Sequence, residues 1–180
     1  MAQQRRIYMV PVNEWYIERT VWLIAGIVLL TSTLLAVLVH PLWVLGVIAT
    51  GAASIAVSLT GFCIVGNVLH RLGFESRLGE RGRDGERPAW YFMRTDSWYL
   101  ERRIYTAVGI NISIASVLSL VHSVWWLSFT AFVGVAMVWF AATGFCIMAN
   151  SLYWLGAEPR LAPDACTTGT SRSRSEPLAV

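Results

Sequence analysis

The sequence contains one segment written twice. Residues 8–78 align without a gap with residues 91–161, at a constant offset of 83 positions, and 23 of the 71 aligned positions are identical. The identities cluster in runs such as Trp-Tyr-x-Glu-Arg at 15–19 and 98–102, and Thr-Gly-Phe-Cys-Ile at 60–64 and 143–147. A duplicated unit constrains the architecture before any other feature, because both copies are expected to form the same supersecondary structure.

The composition indicates an integral membrane protein. Of the 180 residues, 56% are hydrophobic and only 14% are charged, against about 25% charged residues in a soluble domain. Nine tryptophans point the same way, since indole rings favour the membrane interface. The net charge of +3 lies beside apolar stretches rather than along a groove, which favours contact with lipid headgroups over nucleic acid. Three cysteines without a CxxC pair do not form a disulfide framework.

Four apolar stretches are long enough to cross a bilayer. They cover residues 21–39, 42–66, 104–121 and 124–149, and none contains Asp, Glu, Lys or Arg; a spanning helix needs roughly 17–25 apolar residues. Only two residues, His40-Pro41 and His122-Ser123, separate the members of each pair. The sequence therefore predicts an all-α protein with four transmembrane helices, arranged as two tandem antiparallel hairpins.

The charged residues predict the orientation of these hairpins. All arginines and all acidic residues lie before, between or after the two pairs of apolar stretches, and positive charge stays on the cytoplasmic side. We therefore expect both termini and the linker between the hairpins to lie in the cytoplasm. Hairpins with an even number of spans share one orientation, so a pseudo-twofold axis along the membrane normal should relate them.

The same reasoning divides the chain into five segments. Asn13 and Asp96 are expected to cap the first helix of each hairpin, which would extend below the bilayer. The predicted segments are an N-terminal cytoplasmic stretch 1–12, the first hairpin 13–73, a charged solvated linker 74–95, the second hairpin 96–156 and a cytoplasmic tail 157–180.

A repeated polar cluster is the main candidate site. In an antiparallel hairpin the end of the second helix lies near the start of the first, so the repeated Cys and Asn should approach the repeated Glu and Arg. A guanidinium beside a thiol would favour a reactive thiolate. The alternative is structural: cysteine packs, asparagine caps and arginine extends to the interface. The cluster comprises Glu18, Arg19, Cys63, Asn67, Glu101, Arg102, Cys146 and Asn150.

Two further groups of residues leave alternatives open. His40, His70 and His122 each fall near a predicted interface, where they could either contact a pigment or haem or serve as polar caps. In the fourth helix, Met137, Trp139 and Phe140 replace small or aliphatic residues of the first copy. These three residues could form a docking ridge for another membrane subunit, fill the gap between the hairpins or face lipid.

The motifs resemble a known family. Glu-Arg before an aliphatic helix, His-x-x-Trp at the tip, Thr-Gly-Phe-Cys and a Leu-Gly ending are similar to the YgaP-like inner-membrane domain, and both copies match, at 18–73 and 101–156. The resemblance implies a two-helix hairpin that is sometimes fused to a rhodanese sulfurtransferase. It also implies a link to thiosulfate, thiocyanate or sulfane sulfur. This chain departs from the family in having Ile64 and Ile147 where proline usually follows the cysteine, and in lacking a rhodanese domain.

These observations predict a protein that is not an enzyme. The sequence shows no acid–base pair, triad or metal-ligand spacing, so no cofactor or metal is expected. Ion-coupled pumps normally need buried ionisable groups, and the apolar spans have none. The favoured function is an accessory or scaffold subunit that contacts lipids and other integral subunits of a larger, energy-converting complex. The alternative is a sulfur-linked conduit or carrier that uses Cys63 and Cys146.

Overall fold

The computed structural model describes residues 7–80 and 88–161, and these residues form six α-helices without any named strand. The helices are α1 (Ile17–Leu38), α2 (Val44–Thr60), α3 (Ile64–Arg71), α4 (Leu100–Val121), α5 (Trp126–Thr143) and α6 (Ile147–Trp154). A short 3-10 helix, Pro41–Trp43, lies between α1 and α2. The predicted tail beyond residue 161, the middle of the linker and the first six residues lie outside the described ranges.

Four of the helices are long and apolar enough to cross a membrane. They are α1, α2 together with its 3-10 turn, α4 and α5, with 18 to 22 residues each. This agrees with the four predicted spans in number and order. The second and fourth spans are shorter than predicted, however, because each stops at a glycine and a separate short helix follows.

The glycine of each Thr-Gly-Phe-Cys motif causes this break. Gly61 and Gly144 end α2 and α5 in the left-handed region, with φ of 74° and 73°, a conformation that only glycine adopts without strain. A side chain there would also collide with the carbonyl of Met93 or of Val10. The motif is thus a turn between two helices, and it places Cys63 and Cys146 at the N-caps of α3 and α6.

The predicted N-caps Asn13 and Asp96 are wrong. Helix α1 begins at Ile17 after Tyr16, and α4 begins at Leu100 after Tyr99. The missed signal is a tertiary contact, since the first N–H of each helix is taken by a distant carbonyl. Ile17 donates to Glu75 at 2.9 Å and Leu100 donates to Glu158 at 2.8 Å.

The long helices pack most extensively across the two repeats. Helix α1 lies against α5 and α4 lies against α2, while contacts within each hairpin are fewer. Glycines permit the close approach: a Cβ on Gly26 would lie 3.0 Å from the carbonyl oxygen of Gly134, and one on Gly109 would lie 2.8 Å from that of Gly51. All four glycines belong to the identical positions of the repeat, and small residues of this kind allow membrane helices to pack tightly.

Two of the three residues predicted to form a docking ridge are buried. Met137 and Phe140 are 5% and 7% exposed and belong to the core. Phe140 meets Trp22 edge to face, with ring centroids 5.6 Å apart, and Trp22 also contacts Tyr105. Only Trp139 is exposed, at 60%. Two of the three residues are therefore buried in the core, and the three do not form a continuous outer ridge.

Parts of the segments predicted to lie outside the hairpins are buried. They cover the end of the bundle at which α1 and α4 begin, called here the polar end. The linker was expected to be solvated throughout, but its described flanks contribute core residues. Residues of the first repeat hold both flanks, since Leu78 donates to Glu18 and Tyr91 donates to Asn67. The buried residues of these segments are Tyr8, Val10, Leu78, Tyr91, Met93, Ala157 and Leu161.

Candidate functional site at the polar end

Two buried carboxylates organise the polar end. Glu18 in the first turn of α1 is 1% exposed and Glu101 in the first turn of α4 is 2% exposed. Glu18 accepts hydrogen bonds from the backbone N–H groups of Arg77 and Leu78, the latter at 2.8 Å. Glu101 accepts the equivalent bonds from the two residues at the corresponding offset, Arg160 and Leu161. Each carboxylate thereby anchors the segment that follows the short helix of its own repeat.

A tyrosine from the opposite repeat completes each carboxylate site. The Tyr8 hydroxyl donates to Glu101 at 2.9 Å, and the Tyr91 hydroxyl donates to Glu18 at 3.2 Å. Burial, reinforced by the neighbouring Glu101 carboxylate, raises the pKa of Tyr8 well above its ordinary value, and Tyr91 is shifted in the same direction for the same kind of cause. Both hydroxyls therefore stay protonated and remain donors at any physiological pH.

The repeated asparagines hold the same two tyrosines by their backbone. Asn67 accepts from the Tyr91 N–H at 2.9 Å and donates to its carbonyl at 3.0 Å. Asn150 does the same for Tyr8, at 2.8 and 3.1 Å. Each asparagine also donates to the carbonyl of its repeated cysteine, one turn earlier. Each amide thus binds the backbone of a segment from the other half of the chain, a role that the prediction of a helix cap missed.

The repeated arginines tie α1 and α4 to the opposite repeat. Arg19 donates from Nε to the Ala141 carbonyl at 2.7 Å, and Arg102 donates from Nε to the Ser58 carbonyl at 2.6 Å. Those carbonyls lie near the ends of α5 and α2, where backbone acceptors lack helical partners. Each guanidinium also lies over the tryptophan four residues before it, Trp15 or Trp98, at 3.9 and 4.0 Å from the ring centroid.

The predicted pairing of the Arg19 guanidinium with the Cys63 thiol does not describe the contacts that these two side chains make. The Arg19 guanidinium donates to backbone carbonyl oxygens through both Nε and Nη1. The Cys63 sulfur accepts the Gly66 N–H at 3.2 Å. Burial raises the pKa of the Cys63 thiol above its usual value, which disfavours the thiolate. Cys146 is half-buried and, unlike its counterpart, makes no cap bond through its side chain. The two cysteines are thus equivalent in sequence but different in environment.

The histidines occupy separate positions and take local partners. His40 Nδ1 accepts from the Leu42 N–H at 3.2 Å, and His122 Nδ1 accepts from the Trp126 indole at 3.3 Å. His70 Nε2 lies 2.7 Å from the Pro88 carbonyl oxygen, while its buried Nδ1 has no hydrogen-bond partner among the described residues. Within residues 7–80 and 88–161, three or more His, Cys, Asp or Glu side chains nowhere come together as they would around a metal ion.

Ion pairs complete the rim of the polar end. Asp96, expected to cap a helix, instead pairs with Arg160 through two bonds of 2.8 Å, and this pairing lowers the pKa of Asp96. Arg77 and Glu14 form a longer contact of 3.4 Å in the first repeat. Arg77 and Arg160 also lie over the rings of Tyr16 and Tyr99. These exposed pairs contribute little individually, and the buried network beneath them determines the arrangement.

The most important residues that sequence reasoning missed are Tyr8 and Tyr91. Their signal was present, because they form the first identical pair of the aligned repeat, yet they stand outside the predicted helices and carry no motif. Comparison of the chain with known protein families, with curated proteins and with solved structures finds no match.

Proposed function

We propose that this chain is a non-enzymatic integral membrane protein that serves as an accessory or scaffold subunit of a larger membrane complex. In this proposal the two repeats are tandem hairpins related by a pseudo-twofold axis along the membrane normal. The polar end, with its arginines, lies on the cytoplasmic side of a bacterial inner membrane. The observation that carries the proposal is the reciprocal lock between the repeats, in which each half of the chain supplies the tyrosine and the arginine that complete the other.

This lock favours a static role over transport. Many secondary transporters work by moving one repeat against the other around a central site. Such a movement would break the Tyr8–Glu101 and Tyr91–Glu18 bonds together with the Arg19 and Arg102 contacts across the repeats. Buried hydrogen bonds to charged groups are worth roughly 1.5–3 kcal/mol each. A protein built this way holds its helices in one arrangement, as a scaffold must.

The interior between the helices also supports a non-transporting role. Its polar groups are mainly hydroxyls bonded to nearby backbone carbonyls, as for Ser116 and Ser119. Thr33 and Thr130 pair with each other at 3.1 Å across α1 and α5. In the four long helices, described acidic and basic residues occur only in the first turn of α1 and α4. A relay of ionisable groups through the membrane core is therefore missing from these helices.

The resemblance to the YgaP-like domain suggests the inner membrane and leaves the sulfur-linked conduit as the second candidate. That candidate has less support. The Cys63 thiol is buried with a raised pKa, and the arginine that was to activate it is engaged by carbonyl groups. Cys146 is the more accessible of the two described cysteines, but its counterpart does not share that environment.

Photo-crosslinking in native membranes tests the accessory role. A photoreactive phenylalanine analogue would replace one exposed residue on each long helix: Leu34, Leu45, Val117 or Val135. Buried Ile112 on α4 is the matched control position. We expect a single protein adduct of fixed mass from at least one exposed position, together with stoichiometric co-purification of that protein in mild detergent. Adducts with lipid alone at all four positions, and a lone monomer after solubilisation, would exclude the proposal.

A further inference from the structure

The second repeat contains an apolar groove of about 510 Å³ between α4, α5 and the start of α6. The buried Trp22 ring contributes to its wall. The volume falls in the range of about 300–1,000 Å³ that is typical of small-molecule sites. Aromatic side chains dominate the walls on α5, where Phe129, Phe132 and Trp139 are 39%, 64% and 60% exposed.

Three aromatic residues of these walls replace small residues of the first repeat. At the offset of 83, Gly46 corresponds to Phe129, Ala49 to Phe132 and Ala56 to Trp139. The residues of the reciprocal lock are identical in the two copies: Tyr8 and Tyr91, Glu18 and Glu101, Arg19 and Arg102, Asn67 and Asn150. Duplication has thus kept the lock and rebuilt one outer groove with rings.

One polar residue breaks the apolar lining. Asn111, near the middle of α4, lines the groove and stands where the first repeat has Val28. Its Nδ2 donates to the Ala107 carbonyl at 2.8 Å, and no described residue donates a hydrogen bond to its Oδ1. An amide at this depth is costly in a membrane unless it finds a partner. The free acceptor and the second amide hydrogen can pair with a ligand that carries a hydroxyl or a carbonyl group.

Bulky rings disfavour a transmembrane helix as the occupant, because close helix packing in membranes uses small residues. Phospholipid headgroups do not reach the middle of a bilayer, so a phospholipid leaves Asn111 without a partner. We propose that the groove binds a membrane-soluble ring compound of the isoprenoid quinone class. Its ring would stack against the aromatic wall and its carbonyl or hydroxyl would pair with Asn111. The proposed role is binding.

This inference rests on the membrane insertion in the proposed function but not on the accessory role, and a binding experiment separates the two. Purified full-length protein in lipid nanodiscs is titrated with a benzoquinone that bears a single isoprene unit, with empty nanodiscs as background. We expect saturable binding of one equivalent. Asn111→Val, which installs the residue of the first repeat, should weaken binding about five- to tenfold through the loss of one hydrogen bond.

Matched variants show whether the groove itself is responsible. Trp139→Ala, which also restores the residue of the first repeat, should weaken binding, whereas Val117→Ala, at an exposed α4 position outside the groove lining, should not. Thermal unfolding of all variants should be alike, so that a loss of binding reflects the site. Absence of saturable binding, or equal binding by all variants, would overturn the inference. So would a photoreactive azido-quinone that labels only the lipid acyl chains and not the protein. Carbonate extraction of the protein from membranes would instead overturn insertion itself.

Discussion

Tyr8 and Glu101 are joined by a hydrogen bond of 2.9 Å between a hydroxyl from one repeat and a carboxylate from the other, and each residue is 2% exposed. The counterpart, Tyr91 with Glu18, has a length of 3.2 Å. The two bonds cross between the halves in opposite directions. Neither repeat can therefore complete its own carboxylate site, and the two halves depend on each other for the structure of the polar end.

Removal of these hydroxyls should destabilise the protein unequally. Tyr8→Phe leaves Glu101 with two backbone donors. Tyr91→Phe leaves Glu18 with its own two backbone donors and, in addition, with the Ser76 hydroxyl at 3.0 Å. We expect Tyr8→Phe to lower the free energy of unfolding by about 1–3 kcal/mol and Tyr91→Phe by less. Unfolding by SDS titration in mixed micelles measures both. A larger loss for Tyr91→Phe would contradict the role assigned to Ser76.

Arg19→Lys should be costly although it preserves the charge. The guanidinium donates from Nε to Ala141 and from Nη1 to Val12 and Glu14, so it bridges both repeats with a fork geometry that a single ammonium does not reproduce. We expect a loss of about 2 kcal/mol in the free energy of unfolding. The control is Arg103→Lys, since exposed Arg103 donates from Nε to Trp98 alone. Equal stability of the two variants would argue against the cross-repeat role.

The helix-crossing glycines should differ in their tolerance of alanine. A Cβ at Gly109 meets the backbone of α2, with the Gly51 oxygen at 2.8 Å and the Ile55 nitrogen at 2.9 Å. A Cβ at Gly134 meets first the side chain of Leu30, at 2.8 Å, which can rotate away. We expect Gly109→Ala to cost about 2–3 kcal/mol and Gly134→Ala about 1 kcal/mol. Thermal unfolding in the same detergent compares the pair, and the reverse order would show that the α1–α5 contact is the tighter one.

The two described thiols should react at different rates. Because burial raises the pKa of Cys63, its thiolate fraction at pH 7–8 is below that of free cysteine, and reactivity should rise only at higher pH. Half-buried Cys146 should be alkylated first. Mass spectrometry of iodoacetamide labelling in a Cys166→Ser background measures both rates. Alkylation of Cys63 at neutral pH as fast as free cysteine would restore the reactive-thiolate hypothesis and with it the sulfur-linked function.

The sequence predicts the helices well because hydrophobic length is a local property. The four apolar stretches correspond to α1, α2, α4 and α5, and each half of the described chain contains two long helices followed by a short one. The breaks after Thr60 and Thr143 were less visible, since Gly61 and Gly144 sit within apolar runs and their positive φ is a property of the turn.

The partners of the candidate site could not be predicted, because they are set by tertiary packing. An isolated hairpin would bring Arg19 towards Cys63 of its own repeat, whereas the structure directs Arg19 to Ala141. The sequence distance between these two residues is 122 positions. Residue identity at the offset of 83 marked the tyrosines, carboxylates, arginines and asparagines of the network, but it could not say which copy of each residue would meet which.

The two halves of the reciprocal lock become possible at different stages of synthesis. Tyr91 emerges 24 residues after Asn67 and can pair with it as soon as both are made. Tyr8, by contrast, is translated long before its partner Asn150, which follows 142 residues later. Most of the described chain must be synthesised before the segment around Tyr8 can pair with Asn150. Two contacts that are equivalent in the finished protein therefore become possible at very different stages of synthesis.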